Sequence, residues 1–484
     1  MSAPWLALPR GVQKAIATSR STSASIVRSL SASSASSSSS SSSSPRVICR
    51  ACRRSRGFIG SSSRNYSSTS SSASLQLPAS GVAALASRRL ISVSGPDAAK
   101  YLQGVITASI LRLQAKPTAD AGEPATLPPA GLYAAFLSAQ GRVLHDVFVY
   151  RDTLGVGKDG KDAGTDAGAT SFLIEVDAEA AATLAKHIKR YKLRAKFDVR
   201  LLEAGELTVW HGWGLADRPT TADNGIIAHH DTRAPGLGWR FIAPSASWQQ
   251  QQQQQQQLGL DVVDESAYRV HRYLLGVGEG QREILYNQAL PLESNMDVMG
   301  GIDYNKGCYV GQELTIRTRH RGVVRKRILP CIVYGGGAAV APKSLLDAAL
   351  AATEASEASE GGLASTIPAE TSIGRVGKRG RSAGKWLSGV GNLGLALCRL
   401  ETMTDIVLPG EAAAATTTFD PASEFVMNVA ETGAAAVDGE AGESGEAQAE
   451  AKTTPVKIRA FVPGWLRQGL APAEAKREEE TREI

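Results

Sequence analysis

Lys306-Gly307-Cys308-Tyr309-Val310-Gly311-Gln312-Glu313, followed by Leu314-Thr315-Ile316-Arg317-Thr318-Arg319-His320-Arg321, is the most informative stretch of this 484-residue chain. Glycines on both sides of one thiol let the backbone turn sharply and leave the sulfur accessible. Residues 306–327 hold seven Lys and Arg and one acid. Nearby cations favour thiolate, the form of cysteine that attacks and that binds metal. Read as a strand, 313–321 puts Glu313, Thr315, Arg317, Arg319 and Arg321 on one face, a surface for an anion or an acidic partner. The plainer alternative is a packed cysteine in a turn beside a solvated basic strand.

Charge is distributed unevenly around this stretch. The net charge is +6, yet residues 1–96 carry 12 Lys and Arg and no acid, leaving 41 bases against 47 acids in the rest. The basicity therefore belongs to a leader, and a nucleic-acid-binding body is not implied. An Arg- and Ser-rich, acid-free start is the composition of an organelle transit peptide, and Arg64-Asn65-Tyr66-Ser67 resembles a mitochondrial cleavage pattern. The reading is a disordered mitochondrial transit peptide over 1–66, a linker over 67–87, and a mature chain in the matrix. A chloroplast address and an RNA-binding tail are the competitors. No run of 18 apolar residues occurs, so no membrane span is expected. Cys49 and Cys52 fall in the leader. Cys308, Cys331 and Cys398 then remain, an odd set without paired spacing, which argues against a disulfide framework or a self-contained zinc site.

Between low-complexity stretches the patterns are ordered. The nine Gln of 249–257, an Ala/Ser/Glu-rich stretch near 340–370 and an acidic one near 410–452 read as unfolded insertions. Residues 401–450 contain 11 acids and no Lys or Arg. Ser94-Gly95-Pro96-Asp97 reads as a helix start with Pro96 at the first helical position, stopping at Gly104. Residues 144–150, 172–176 and 197–201 read as strands, and Asp177 and Asp264 as caps of two amphipathic helices, the second ended by Gly276. Strands and helices without a βαβ rhythm indicate an α+β protein with mainly antiparallel sheets, and the Gly-punctuated last third a β-barrel. Gly155–Asp162 is one residue from a P-loop, with Asp162 where Ser or Thr is needed, and the Gly389–Gly394 match to GxGxxG leads into a strand rather than a helix. His229 and His230 point to opposite faces if they lie on a strand.

The KGCYxGQE motif resembles that of the aminomethyltransferase-like superfamily, built like the glycine-cleavage T-protein and often labelled folate-binding. Within it, the motif looks like the branch of mitochondrial iron–sulfur cluster assembly factors. The likeness continues in Leu292-Glu293-Ser294-Asn295-Met296-Asp297, Gly300-Gly301-Ile302, Gly95-Pro96-Asp97-Ala98, Tyr101-Leu102-Gln103-Gly104, Thr107, Tyr133-Ala134-Ala135-Phe136-Leu137, Gln140-Gly141-Arg142-Val143 and Leu393-Gly394-Leu395-Ala396-Leu397. It covers 88–330 well and 371–400 weakly.

The resemblance implies a cloverleaf of three subdomains around a central cavity, placed here at 88–202, 203–330 and a barrel over 331–484. It implies a role in maturing mitochondrial [4Fe–4S] apoproteins of the aconitase and lipoate synthase type, with A-type iron–sulfur carrier proteins as partners. Clusters usually need four Cys or equivalent ligands. On this reading Cys308 is one thiolate ligand of an iron–sulfur cluster shared with a partner, Lys306 and Arg317 give electrostatic support, Gly307 and Gly311 shape the loop, and Gln312 and Glu313 fix it by hydrogen bonds beside Tyr309. Arg317, Arg319 and Arg321 are the partner-binding residues. The alternative is a tetrahydrofolate-dependent aminomethyltransferase with a cavity lined by Tyr133, Arg142 and Asp146. His145-Asp146 stands where T-proteins tend to have adjacent acids, and T-proteins lack the motif cysteine, so no transferase activity is expected.

Overall fold

The computed structural model describes residues 79–115, 128–157, 170–215, 225–244, 261–335, 341–347, 362–377, 380–408, 419–430 and 453–471. The leader and the Gln run lie outside them. Among the described residues no helix is long and apolar enough to cross a membrane.

Three sheets organise the chain. The first joins β2 (Arg88–Ser94), β3 (Gly131–Leu137), β4 (Val143–Arg151), β5 (Ser171–Asp177) and β6 (Asp198–Leu201), antiparallel in the order β3-β4-β5-β2-β6. The second orders as β10-β1-β7-β9-β8, from β1 (Gly81–Ala84), β7 (Thr208–Trp213), β8 (Ile227–His230), β9 (Trp239–Ala243) and β10 (Val262–Val263), with only β1 and β10 parallel. The third is a closed barrel of β11 (Lys326–Tyr334), β14 (Leu393–Arg399), β13 (Gly384–Val390), β12 (Ser372–Arg375), β15 (Phe425–Ala430) and β16 (Thr453–Ala460). One buried cluster takes Leu90 and Tyr133 from the first sheet, Val209 from the second, and Ile328 and Leu393 from the barrel, so the three share a core.

Helices fill the faces. α1 (Ala98–Val105) and α3 (Ala181–Tyr191) cover the first sheet, α3 burying Ala181, Leu184, Ala185 and Ile188. A single turn, α2 (Leu111–Gln114), follows α1. α4 (Glu265–Leu275) is capped by Asp264, whose carboxylate accepts from the Ser266 N–H at 2.8 Å, and ends at Gly276 with φ 73°. Both ends of α4 match the sequence reading.

Several sequence expectations need correction. The linker 67–87 contains β1, an inner strand of the second sheet, because 81–84 is apolar and 81–83 are buried. Arg88, counted with the leader, is a buried residue of β2. Gly95 takes φ 143°, so Pro96 and Asp97 form a turn, and α1 begins at Ala98 and runs to Val105. The Asp97 carboxylate accepts from Lys196 N–H at 2.7 Å instead of capping α1. Asp177 likewise accepts from the Glu179 and Gln281 N–H groups, and α3 starts only at Ala181. Two segments read as unfolded hold structure: 362–366 is a short helix with Ala364 buried, and β15 lies within the acidic stretch, where Phe425 and Met427 alternate into the barrel core.

A charged network is buried where the first two sheets meet. The Arg240 guanidinium of β9 contacts Glu175 of β5, Glu279 after α4, and Asp231 at 3.1 Å. Arg233 pairs with Asp231 and Glu279, both at 2.8 Å, and Arg88 with Glu175 at 2.8 Å. Burial alone would raise the Glu279 carboxyl, but Arg240, Arg233 and Arg88 outweigh it and hold it well below the usual range. Removing one partner of a buried pair leaves an uncompensated charge, so Arg240→Met should cost about 3–5 kcal/mol in urea unfolding.

Burial also holds His145 and His229 down at about 4 and His211 at about 3, against an ordinary 6.5. These rings stay neutral in the folded chain while the unfolded chain protonates. Their stabilising contribution is complete above pH 6.5 and is lost as pH falls towards 4. These three rings should therefore contribute about two to three protons to the uptake on unfolding between about pH 6 and 5, read as the part of the slope of unfolding free energy against pH that is lost when all three are replaced by Gln.

Candidate functional site

The Cys308 loop is pinned on both sides of the cysteine to the last turn of α1 and the segment that follows it. Asp303 N–H donates to the Thr107 carbonyl at 3.0 Å, and the Thr107 hydroxyl donates to the Gly301 carbonyl at 2.6 Å. Lys306 Nζ donates to the carbonyls of Ile106 and Ala108 at 2.7 and 2.9 Å. Val310 N–H reaches the Gly104 carbonyl at 3.0 Å. Tyr309 is buried in the shared core, and its N–H donates to Gln312 Oε1 at 3.1 Å. Between these anchors Cys308 is exposed, whereas Cys331 and Cys398 are buried in the barrel.

Lys306 thus serves backbone carbonyls rather than the thiol, and its partial burial lowers its ammonium to about 8. Gln312 fixes the loop as expected. Glu313 is exposed on the first turn of the following helix and does not.

That helix corrects the strand expected at 313–321: α5 spans Gln312–Arg321. Gln, Glu, Leu and Arg are good helix formers, an acid sits in its first turn, and Arg319, His320 and Arg321 occupy its last, each complementing the helix dipole. The alternation of Leu314, Ile316 and Thr318 with polar residues carries little weight because Thr315 alone is buried. On a helix Arg317 and Arg321 share a face at i, i+4, as Glu313 and Arg317 do. Arg319 leaves that face and lies over the Tyr304 ring, 4.9 Å from its centroid.

The two loop glycines are not equivalent. Gly311 opens α5 with φ 80°, and a Cβ there would drive into the Ser138 carbonyl oxygen and sit 2.8 Å from Leu137 Cβ. Gly141, at φ 81° in the β3–β4 hairpin, lies against the same turn, its added Cβ meeting Leu314 at 2.8 Å. Gly307 has open space around it.

Tyr133, Arg142 and Asp146 are not brought together. Tyr133 and Asp146 are buried beside the charged network, Asp146 3.5 Å from Arg88 and accepting from the Gly280 N–H, with burial pushing its carboxyl up. Arg142 is exposed, donates to the Gln288 carbonyl at 2.6 Å, and lines a separate cavity against the barrel. The cavity that Arg142 lines includes neither Tyr133 nor Asp146. Sequence reasoning missed Arg233, Arg240 and Glu279, which no local pattern sets apart from solvated charges.

Gly311→Ala should lower stability by at least about 1–2 kcal/mol, whereas Gly307→Ala should stay within about 0.5 kcal/mol of the parent, both measured by urea unfolding.

The chain is similar to several known proteins. Residues 325–423 match the CAF17 C-terminal beta-barrel domain. The solved glycine cleavage system aminomethyltransferase T from Bartonella henselae aligns with 79% of this chain and 86% of its own, at TM-score 0.48 and 11% identity. The chain is 51% identical to the mitochondrial iron-sulfur cluster assembly factor IBA57 homolog of Chaetomium globosum, over 88% of this chain and 90% of that one. It is 51% identical to the homolog of Pyricularia oryzae, over 82% and 87%, and 47% identical to that of Neurospora crassa, over 83% and 84%. Identity at this level over most of both chains means that the protein belongs to the IBA57 family of mitochondrial iron–sulfur cluster assembly factors.

Proposed function

We propose that this chain supports maturation of [4Fe–4S] apoproteins of the aconitase and lipoate synthase type in the mitochondrial matrix, together with A-type carrier proteins, and that Cys308 supplies one ligand of a cluster shared with such a partner. The observation that carries this is one exposed thiol held between fixed anchors on a motif loop. Among the described residues no group of three or more His, Cys, Asp or Glu side chains is placed to hold a metal ion. A cluster needing about four ligands would then take the others from the partner, as cargo in transit. Arg317 and Arg321, exposed on one face of α5, are the residues offered to an acidic partner surface.

Aminomethyl transfer is the weaker reading. Its expected folate residues divide between a buried ion network and a separate surface cavity, and no step is assigned to tetrahydrofolate.

Mitochondria whose only copy carries Cys308→Ala should lose most aconitase activity while the protein stays at normal abundance. Normal aconitase there would remove Cys308 from the mechanism. If instead Arg317→Glu with Arg321→Glu abolishes activity and Cys308→Ala is tolerated, the chain acts as a docking protein and not as a ligand donor.

A further inference from the structure

We infer that the groove between α1, α3 and the β3–β4 hairpin docks an extended acidic segment of the partner protein that meets Cys308, with apolar side chains of that segment seated among the groove's aromatic residues. This rests on the assembly reading above, and it adds a second contact surface, with its own chemistry, to the loop.

The groove encloses about 1090 Å³, at or beyond the upper end of small-molecule sites, ~300–1,000 Å³. Its charge is predominantly positive. From 180 to 196 the chain holds six Lys and Arg and no acid. Because α3 buries Ala181, Leu184, Ala185 and Ile188, Lys186 and Arg190 turn outward into the groove, and Lys100 of α1 adds a third cation. Asp97, the one acid lining it, is already bonded to the Lys196 N–H.

The apolar part is unusually open. Tyr191 is 51%, Tyr286 47% and Val310 45% exposed, all lining the groove. Two residues past α3, Leu193 is 85% exposed at φ 49°, a left-handed conformation that a leucine seldom adopts. Clustered exposed apolar side chains rimmed by charge mark interaction surfaces. Charge complementarity selects an acidic occupant, and the mixture of rings and cations selects one that also carries apolar side chains.

Position links the groove to the site. Val310 lies two residues from Cys308, and its N–H is bonded to Gly104, another lining residue. A chain that leaves the groove past Val310 is two residues from Cys308, so the same partner can bind the groove and reach the thiol.

The test uses the full chain and a fluorescein-labelled peptide of Asp and Glu around a pair of leucines, read by fluorescence polarisation. Binding should weaken about tenfold in Lys186→Glu/Arg190→Glu and fall with added salt. Tyr191→Ser should weaken it as well, and Cys308→Ala should leave it unchanged. The proposal is overturned if a Lys-based peptide, an acidic peptide with serines for leucines, or a single-stranded RNA of equal charge binds as tightly. It is also overturned if deleting residues 431–452, the chain's own acidic insertion, tightens binding about tenfold, since that insertion would then be the occupant. Peptide binding that stands while Cys308→Ala mitochondria keep normal aconitase would support the groove and remove the shared-cluster reading. Lost peptide binding with low aconitase in those mitochondria would do the reverse.

Discussion

The contacts of the Arg240 guanidinium with Glu175, Glu279 and Asp231 set the relation of the two open sheets. Each partner comes from a different piece of chain: a strand of the first sheet, the turn after α4, and the turn after β8. Arg88, Arg233 and Arg272 extend the same pattern, with Glu283 taking Arg272 at 2.7 Å. Burial makes this arrangement demanding. Desolvating so many charges costs more than their attraction returns unless every geometry is good. The network therefore tolerates few other placements of the sheets. Phe148 seals it, with Arg240 4.2 Å and Arg233 4.8 Å from its ring centroid.

From that constraint the site follows in a chain of contacts. Fixing β4 and β5 fixes the β3–β4 hairpin, and the hairpin presents Ser138 and Gly141 to the start of α5. Only a glycine at 311 can meet that surface. With Gly311 seated, Gln312 reaches back to the Tyr309 N–H, and the motif loop closes onto residues 104–108 through Lys306 and Val310. Six of the eight motif positions thus act on geometry rather than on sulfur chemistry: Lys306, Tyr309, Val310, Gly311 and Gln312 anchor the loop, and Gly307 leaves it open.

Much of this was legible in the sequence, and the exceptions share a cause. α4 announced itself through Asp264 and Gly276, the strands 144–150 and 172–176 through their apolar runs, and the motif through its composition. α5 was misread because alternation along nine residues was given weight that belongs only to buried positions, while its dipole-matched ends were the better signal. β15 was hidden by the acidic, low-complexity sequence on either side of it. The charged network was invisible for a different reason. Arg88 and Glu279 are nearly two hundred residues apart in sequence, and nothing local distinguishes a buried arginine from a solvated one; Arg88 was even counted with the leader.

The placement of sulfur separates two tasks. Cys331 and Cys398 face one another inside the closed barrel, sulfurs 3.8 Å apart, and burial pushes the Cys331 thiol well up, towards its unreactive form. They behave as small apolar residues of the barrel core. Cys308 is placed oppositely, exposed on a loop whose neighbours on both sides are fixed. A resident cofactor is best served by enclosure, but a cluster passed between proteins must be reached by donor and acceptor in turn. On the proposed reading, the rigid network deep in the molecule and the open thiol at its surface are complementary. The first removes freedom from the loop, so that the second can be exposed without being disordered.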